Sequence, residues 1–598
     1  MLKKIGLNQI KYFKFYWQRL KWRIPLLLCI SGIITFLDGI GLALFVPLFQ
    51  VAESGDTSDN LLGSLAFVVK FFNDLNIDIT IGNLLIFMLL LFSSKGIINF
   101  VSKFYMVRIR VNFMKKTRIQ LIDGMCNISY PGFVNIDLGR MQNVLTAEIG
   151  KAVNAFSAFF STLQYIIMLS GYLTLAFLTN FRFALVITGA GILSNFIFRI
   201  INKKVETSSL FQSLIGNSLY GKILETVWNF KYLKATDLVS KYRKKLITLT
   251  NEVEGLNMKM GKLNAISSSI REPIMMLLIC GIIFVAVTFM DVKIMSIALS
   301  LLFFMRALNS LLSVQMNWQG FLTNSGSIHL VNDLHEEFDK NVESAISENV
   351  EDFKKEIEFE HVTFAYAPHL PIVLNDINLT VKKNQTIAFV GESGSGKTTI
   401  VNMLTGLLFP NAGQIKIDSK PLTAAMVKSF RQHIGYITQE PVVFNDSVFN
   451  NVTFLDPKNN DTLAKFRDTL EKTTLTSMVE NLPDKEDSML GDNGVLISGG
   501  QKQRISIARE LYRSCSLLLM DEATSALDTE NELIIQSNIN QLKGKYTIVI
   551  IAHRLSTVKN ADVIYLLNKG KIEACGTFEE LKEKSPRFKK MVELQEFS

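Results

Sequence analysis

Apolar residues are spread unevenly along the chain. Six long apolar runs fill its first part, at 24–52, 84–101, 155–179, 181–198, 273–290 and 294–315. Charges inside them are few: Asp38 in the first, Lys95 in the second, Arg182 at the start of the fourth and Arg306 in the sixth. Each run is near the ~20 residues that a helix needs to cross ~30 Å of hydrocarbon. The pattern predicts six membrane-spanning helices. After about Glu348 the chain reads as a soluble domain. The first run is too long for the apolar region of a secretory leader, and no small-residue cleavage site follows it.

The 598 residues carry 63 Lys+Arg against 54 Asp+Glu, a formal net charge of +9. Location explains this surplus. Residues 1–23 hold Lys3, Lys4, Lys11, Lys14, Arg19, Lys21 and Arg23 and no acid, whereas 51–80 hold Glu53, Asp56, Asp59, Asp74 and Asp78 against Lys70 alone. Positive flanks stay in the cytoplasm, so the N-terminus is inside and the acidic loop outside. Two long basic connections, 106–154 and 199–272, then also fall inside. Their helical patterning predicts cytoplasmic extensions of spans two to five. Each extension should reverse once, near Tyr130-Pro131-Gly132-Phe133 and between Glu225 and Lys234. The excess charge is a topology signal, and no nucleic acid is expected as partner. Tyr12, Phe13, Phe15, Tyr16, Trp17 and Trp22, interleaved with Lys and Arg, predict an interfacial helix over 8–23. Five scattered Cys form no CxxC or Cys/His cluster, which argues against a disulfide scaffold or a zinc site.

The chemistry lies in the second part. An apolar strand pattern at 385–390 runs into Gly391, Glu392, Ser393, Gly394, Ser395, Gly396, Lys397 and Thr398, followed by Thr399 and an apolar helix. This is GxxxxGK[ST] between a strand and a helix. Small residues let backbone N–H groups turn toward phosphates at a helix N-terminus that already favours anions. Lys397 should reach the β- and γ-phosphates of ATP, and the Thr398 hydroxyl should ligate Mg²⁺. Further on, Leu517, Leu518, Leu519 and Met520 form an apolar strand that ends in Asp521 and Glu522. Acids at that end of a parallel strand stand at the ligand edge of an α/β sheet. Asp521 is a candidate for the Mg²⁺ shell, and Glu522 for orienting or deprotonating water.

Between these elements stand Ser498, Gly499, Gly500 and Gln501, followed by Lys502-Gln503-Arg504. With them the chain resembles the ATP-binding cassette (ABC) transporters, and the four residues resemble that family's signature. Gln439 resembles the Q-loop glutamine, a further Mg²⁺ ligand. Ser525-Ala526-Leu527-Asp528 resembles the D-loop, His553 the switch histidine, and Tyr366 the aromatic residue that stacks on adenine. One departure is Ile497, where the family usually has Leu before the signature serine; the change nearly conserves volume. Six spans followed by one cassette resemble an exporter half-transporter. The implied fold is an all-α transmembrane domain (1–330), a linker (331–355) and an α/β P-loop cassette (356–598).

The resemblance implies that two chains pair head to tail, with ATP between the P-loop of one and the signature of the other. A homodimer is expected, with a heterodimer as the alternative. The two cytoplasmic reversals resemble coupling helices, and Gly491 to Gly494 the loop that feels the partner. The implied function is ATP-driven export or flipping of an amphipathic substrate across a bacterial cytoplasmic membrane. Asp38, Gly39-Ile40-Gly41 and Pro47 resemble the lipid-linked oligosaccharide flippases, with peptide export as the main rival, a multidrug or lipid A exporter third, and an ATP-gated channel as a distant alternative. Asp38, Lys95 and Arg306 are costly in hydrocarbon. They either touch substrate, pair between spans, or, for the two cations, snorkel.

Overall fold

A computed structural model describes residues 21–45, 47–48, 78, 80–179, 181–290, 294–343, 348–349, 352–521, 537, 540–552 and 558–596. Most of the interfacial segment 8–23, the acidic loop and the turns near Asn180 and Asp291 lie outside them. The chain divides into two compact units: Met1–Ile128 with Asn135–Asn341, and Val342–Ser598 with Ser129–Val134.

The first unit is helical. In chain order it holds α1 (Arg23–Ala43) and α2 (Ile81–Cys126). Next come α3 (Tyr130–Val134, grouped with the second unit), α4 (Leu138–Asn143), a π-turn (Val144–Glu148) and α5 (Ile149–Thr179). Then follow α6 (Phe181–Trp228), α7 (Phe230–Ala235), α8 (Val239–Met290) and α9 (Ile294–Lys340). All six apolar runs fall within long helices, apart from the end of the first, which lies outside the described residues. Among the described residues, Arg23–Ala43, Ile81–Cys126 and Leu138–Leu178 are long and apolar enough to cross a membrane by length and composition.

The long helices outrun the ~20-residue requirement because each apolar run continues into an extension, after the run in α2, α6 and α9 and before it in α5 and α8, those of α2, α5, α6 and α8 being the expected ones. The reversals occur as short helices, α3 and α7. One detail differs from the sequence reading. The long helix already ends at Cys126, where Asn127 turns its side chain onto the Asp123 carbonyl. Pro131 and Gly132 then sit inside α3, near its start, where proline's missing N–H costs little.

The extensions pack through an aromatic core and a polar seam. Phe113 stacks on Phe156 at 4.8 Å between centroids, and Phe159 meets Phe321 at 5.6 Å. The seam joins the α4–α5 segment and α9 to α6. Asn143 donates to Asn217 at 2.8 Å, the Ser213 hydroxyl to buried Glu148 at 2.9 Å, and Ser209 to the Thr323 carbonyl at 2.7 Å. Close approach makes these bonds possible: a Cβ on Gly139 would lie 2.3 Å from the Gly221 Cα.

The second unit is an α/β cassette. A four-stranded antiparallel sheet has order β2-β1-β4-β5, with β1 (Glu356–Phe364), β2 (Leu374–Lys382), β4 (Ala412–Ile417) and β5 (Lys420–Pro421). A six-stranded sheet has order β10-β9-β3-β8-β7-β6. Its members are β3 (Thr386–Gly391), β6 (Ile434–Ile437), β7 (Leu517–Asp521), β8 (Thr547–Ile551), β9 (Val563–Asn568) and β10 (Lys571–Gly576). Strands β9, β3, β8, β7 and β6 pair in parallel. β3 and β8 are buried at every position, as a sheet covered on both faces requires. Helix α10 (Lys397–Leu404) follows β3. Helices α11 (Val448–Thr453), α12 (Asn460–Lys472) and α13 (Gly499–Tyr512) build a separate core around Phe449, Phe466, Ile505 and Tyr512.

Replacing Gly139 by Ala sets two effects against each other. Better helix propensity contributes up to ~1 kcal/mol, while a backbone-to-Cβ clash of this kind costs about 1–3 kcal/mol. The clash should win, and the thermal midpoint in nanodiscs should fall. An unchanged midpoint would mean that the helices separate freely at this crossing.

Candidate functional site

The parallel strands bring the nucleotide residues to one edge. Phe389 of β3 and Asp521 of β7 both register with Ile551 of β8, so β8 lies between the P-loop strand and the acidic strand. Gln439 follows β6, the neighbour of β7. Sequence-predicted Asp521, Gln439 and the P-loop thus share the C-terminal edge of one sheet. Glu522, Asp528 and His553 lie outside the described residues.

The loop from Gly391 into α10 has the shape a phosphate needs. Gly394 and Gly396 have φ of +79° and +103°, and Gly396 caps α10. Alternating backbone conformations of this kind turn successive N–H groups into one concavity. A Cβ on Gly396 would sit 2.5 Å from the Leu374 side chain. Lys397 is buried and donates to the carbonyls of Gly391 at 2.8 Å and Glu392 at 3.0 Å. The Ser395 hydroxyl is buried and unpartnered. A buried ammonium at a helix N-terminus, with an orphaned hydroxyl beside it, fits an anionic phosphate. Tyr366 is exposed, hydrogen-bonds Thr399 at 3.1 Å and packs edge-on to Phe364. This leaves an aromatic face next to the loop. Burial and the Asp521 carboxylate push the neighbouring Tyr436 phenol up to about 12. It therefore stays a neutral donor beside that acid at physiological pH. At the far end of α10, Arg431 donates to the carbonyls of Thr405 and Gly406, both at 2.9 Å, and pairs with Glu343.

The signature residues start α13. Ser498 is its N-cap: its hydroxyl accepts from Gln501 N at 3.4 Å, and its own N–H donates to Gln501 Oε1 at 2.8 Å. This capping box aims the first N–H groups of the helix, those of Gly499 and Gly500, outward for an anion. Ser498 and Gly499 are exposed. Buried Arg509 secures α13, donating to the carbonyls of Asn451 at 2.7 Å and Val442 at 2.9 Å. The signature and the P-loop therefore rest on different hydrophobic cores.

A second site lies in the helical unit. Asp38 is fully buried on α1, and its carboxylate pairs with Lys95 of α2. Its other oxygen accepts from the Tyr172 hydroxyl of α5 at 2.5 Å and lies 3.6 Å from Arg306 Nε of α9. The three intramembrane charges are thus one cluster. Pairing between spans is the alternative the structure bears out for Asp38. Glycines allow this closeness: a Cβ on Gly39 would be 2.4 Å from Leu175, and one on Gly41 would be 3.0 Å from Phe92. Lys95 also lines a cavity of about 530 Å³ with Lys103, Asn99, Ser102, Gln164 and Tyr165, and among the described residues no acid lines it. Sequence reading missed Lys103 and Tyr172. Lys95, Asn99, Ser102 and Lys103 follow helical spacing, a stripe that periodicity could have found. Tyr172, a polar residue in an apolar run, gave no comparable signal.

A family model described as ABC transporter matches residues 374–525, and one described as ABC transporter transmembrane region matches 39–313. The chain belongs to the ABC transporters. The ATP-dependent lipid A-core flippase of Ralstonia nicotianae is 28% identical over 496 residues, covering 81% of this chain and 83% of that protein. The Haemophilus influenzae protein of the same name is 29% identical over 523 residues, covering 84% and 86%. A bacterial Atm1-family ABC exporter solved with ATP bound superposes with a TM-score of 0.78 at 20% identity, covering 97% of this chain and 98% of that one. This ABC transporter has the exporter fold, and its cassette is an ATPase that drives transport across a membrane.

Gly396→Ala should strain the P-loop by about 1–3 kcal/mol, since a side chain there meets both a left-handed φ and Leu374. Binding of a fluorescent ATP analogue should weaken about tenfold or more. Unchanged binding would mean that this loop does not hold the nucleotide.

Proposed function

We propose that two copies of this chain form an ATP-driven flippase for an anionic lipid or lipid-linked glycan in a bacterial cytoplasmic membrane. The observation that carries the substrate class is the cavity with Lys95 and Lys103 on its wall and no acid. Lys103, together with Lys95 from a cluster of two cations on one carboxylate, favours a phosphate-bearing headgroup over a neutral or cationic solute. Its relatives include proteins named ATP-dependent lipid A-core flippase, which supports a lipid substrate. The polar stripe on α2 gives a headgroup hydrogen-bond partners, and the surrounding apolar helices suit acyl chains. The basic N-terminal segment and the acidic loop set the orientation, with the cassette in the cytoplasm.

The ATP site follows from the same logic. Backbone N–H groups of 391–399 and the Lys397 ammonium hold the phosphates, and Tyr366 covers the base. Mg²⁺, held by Thr398, Gln439 and Asp521, would neutralise charge on the transferring group. Glu522 orients or deprotonates the attacking water, and His553 touches the γ-phosphate. Ser498 and Gly499, exposed at the start of α13 with Gly500 and Gln501 directly behind them, complete the site from the second chain, to which Asp528 also contributes. An intact Glu522 and His553 favour two equal sites and hence a homodimer. ATP between the chains stabilises the closed cassette pair over the open one. That difference in affinity is what can drive a conformational change.

The test is ATPase rate in nanodiscs with lipid A, with a lipid-linked oligosaccharide and with a peptide panel. Stimulation by the phosphorylated lipids alone is expected. Stimulation by peptides alone would replace this reading with peptide export. Glu522→Gln should lower hydrolysis by about 10²-fold or more while ATP binding persists. Transport that continued in that variant would point to an ATP-gated pathway instead of a pump.

A further inference from the structure

Asp38 and the headgroup cavity share one cation. Lys95 pairs with Asp38 on one side and lines the cavity on the other. The cluster as a whole is one carboxylate and two cations, a net charge of +1. Asp38 ties α1 to α2 through Lys95, to α5 through Tyr172 and to α9 through Arg306. Building on the anionic-lipid reading, we propose that Asp38 is a latch that competes with the substrate's anionic group for Lys95.

The latch works by electrostatic exchange. An ammonium has three donors, but in a low-dielectric site two anions sharing it repel each other. A phosphate entering the cavity meets Lys103 and Lys95 and draws Lys95 away from Asp38. Asp38 is not left unpaired, because Arg306 stands 3.6 Å away and Tyr172 still donates to it. One arriving negative charge brings the cluster from +1 to neutral, so the exchange proceeds without stranding a charge. The tie between α1 and α2 loosens while the tie between α1 and α9 strengthens. Helix α9 runs on to Lys340, at the chain's entry into the cassette. Occupancy of the cavity is thereby written into which helices are held together. Asp38 is a positioning residue in this scheme, since it acts on substrate through Lys95.

The experiment uses full-length protein in phosphatidylcholine nanodiscs, titrated with lipid A while ATPase rate is read. Four proteins are compared: wild type, Asp38→Asn, Asp38→Asn/Arg306→Gln and Lys95→Gln. The double variant keeps the net charge at +1 and avoids two unanswered cations, so it serves where Asp38→Asn alone fails to fold. Removing the competitor should lower the half-stimulating lipid A concentration about tenfold in the Asp38 variants, as expected when Lys95 is otherwise mostly engaged. The rate without lipid A should rise. Damage to the fold weakens binding and cannot produce that gain. An unchanged or higher half-stimulating concentration in the double variant overturns the latch. Lys95→Gln separates the two claims. Lost stimulation there, with unshifted Asp38 variants, sinks the latch and leaves the anionic-lipid reading standing. Wild-type stimulation of Lys95→Gln sinks both.

Discussion

A charge inside hydrocarbon must be answered by another charge, and in this chain one carboxylate does that work for four helices. Asp38 is fully buried and meets Lys95, Tyr172 and Arg306, each on a different helix. Removing one partner of a buried pair costs about 3–5 kcal/mol, as much as truncating a large buried apolar side chain. The positions of α1, α2, α5 and α9 relative to one another therefore depend on this point. Glycines at 39 and 41 exist in the same stretch because the helices must approach closely for the pair to form. In the proposed function, the surplus cation on the cavity wall gives the unit its preference for anions.

The cassette obeys a different constraint. A parallel sheet sends the C-terminal ends of its strands to one edge, so the P-loop, Asp521 and Gln439 converge there without any contact between their side chains being needed to assemble them. The signature serine belongs to a second core, built by α11, α12 and α13 and held by Arg509. Its exposure, with helix N–H groups aimed outward, is what a site shared between two chains calls for. The proposed pairing places ATP hydrolysis where closure of the two cassettes can be felt by both helical units.

Much of this was legible in the residues. Long apolar runs reveal themselves by length, and both cytoplasmic reversals were visible as breaks in helical patterning. The first break was placed a few residues late, because Pro131 and Gly132 draw attention while Asn127 ends the helix through a local side-chain bond. The P-loop, acidic strand and signature were readable because their chemistry is local in sequence. The Asp38 cluster was not, since pairing between 38, 95, 172 and 306 is a property of packing. The three charges were conspicuous, yet only their placement could separate substrate contact from a tie between spans. Lys103 went unnoticed because a cytoplasmic-flank lysine looks like any other until the cavity shows which face of α2 it occupies.

In the proposed function, ATP hydrolysis by this chain moves an anionic lipid between leaflets. The most direct measurement is transbilayer movement in proteoliposomes of two lipids with identical acyl chains, one with a phosphate-monoester headgroup and one zwitterionic, followed by leaflet-selective quenching. The account predicts ATP-dependent movement of the anionic lipid at a rate well above that of its zwitterionic counterpart. Equal rates for the two, or movement of neither while a peptide is exported, would contradict it.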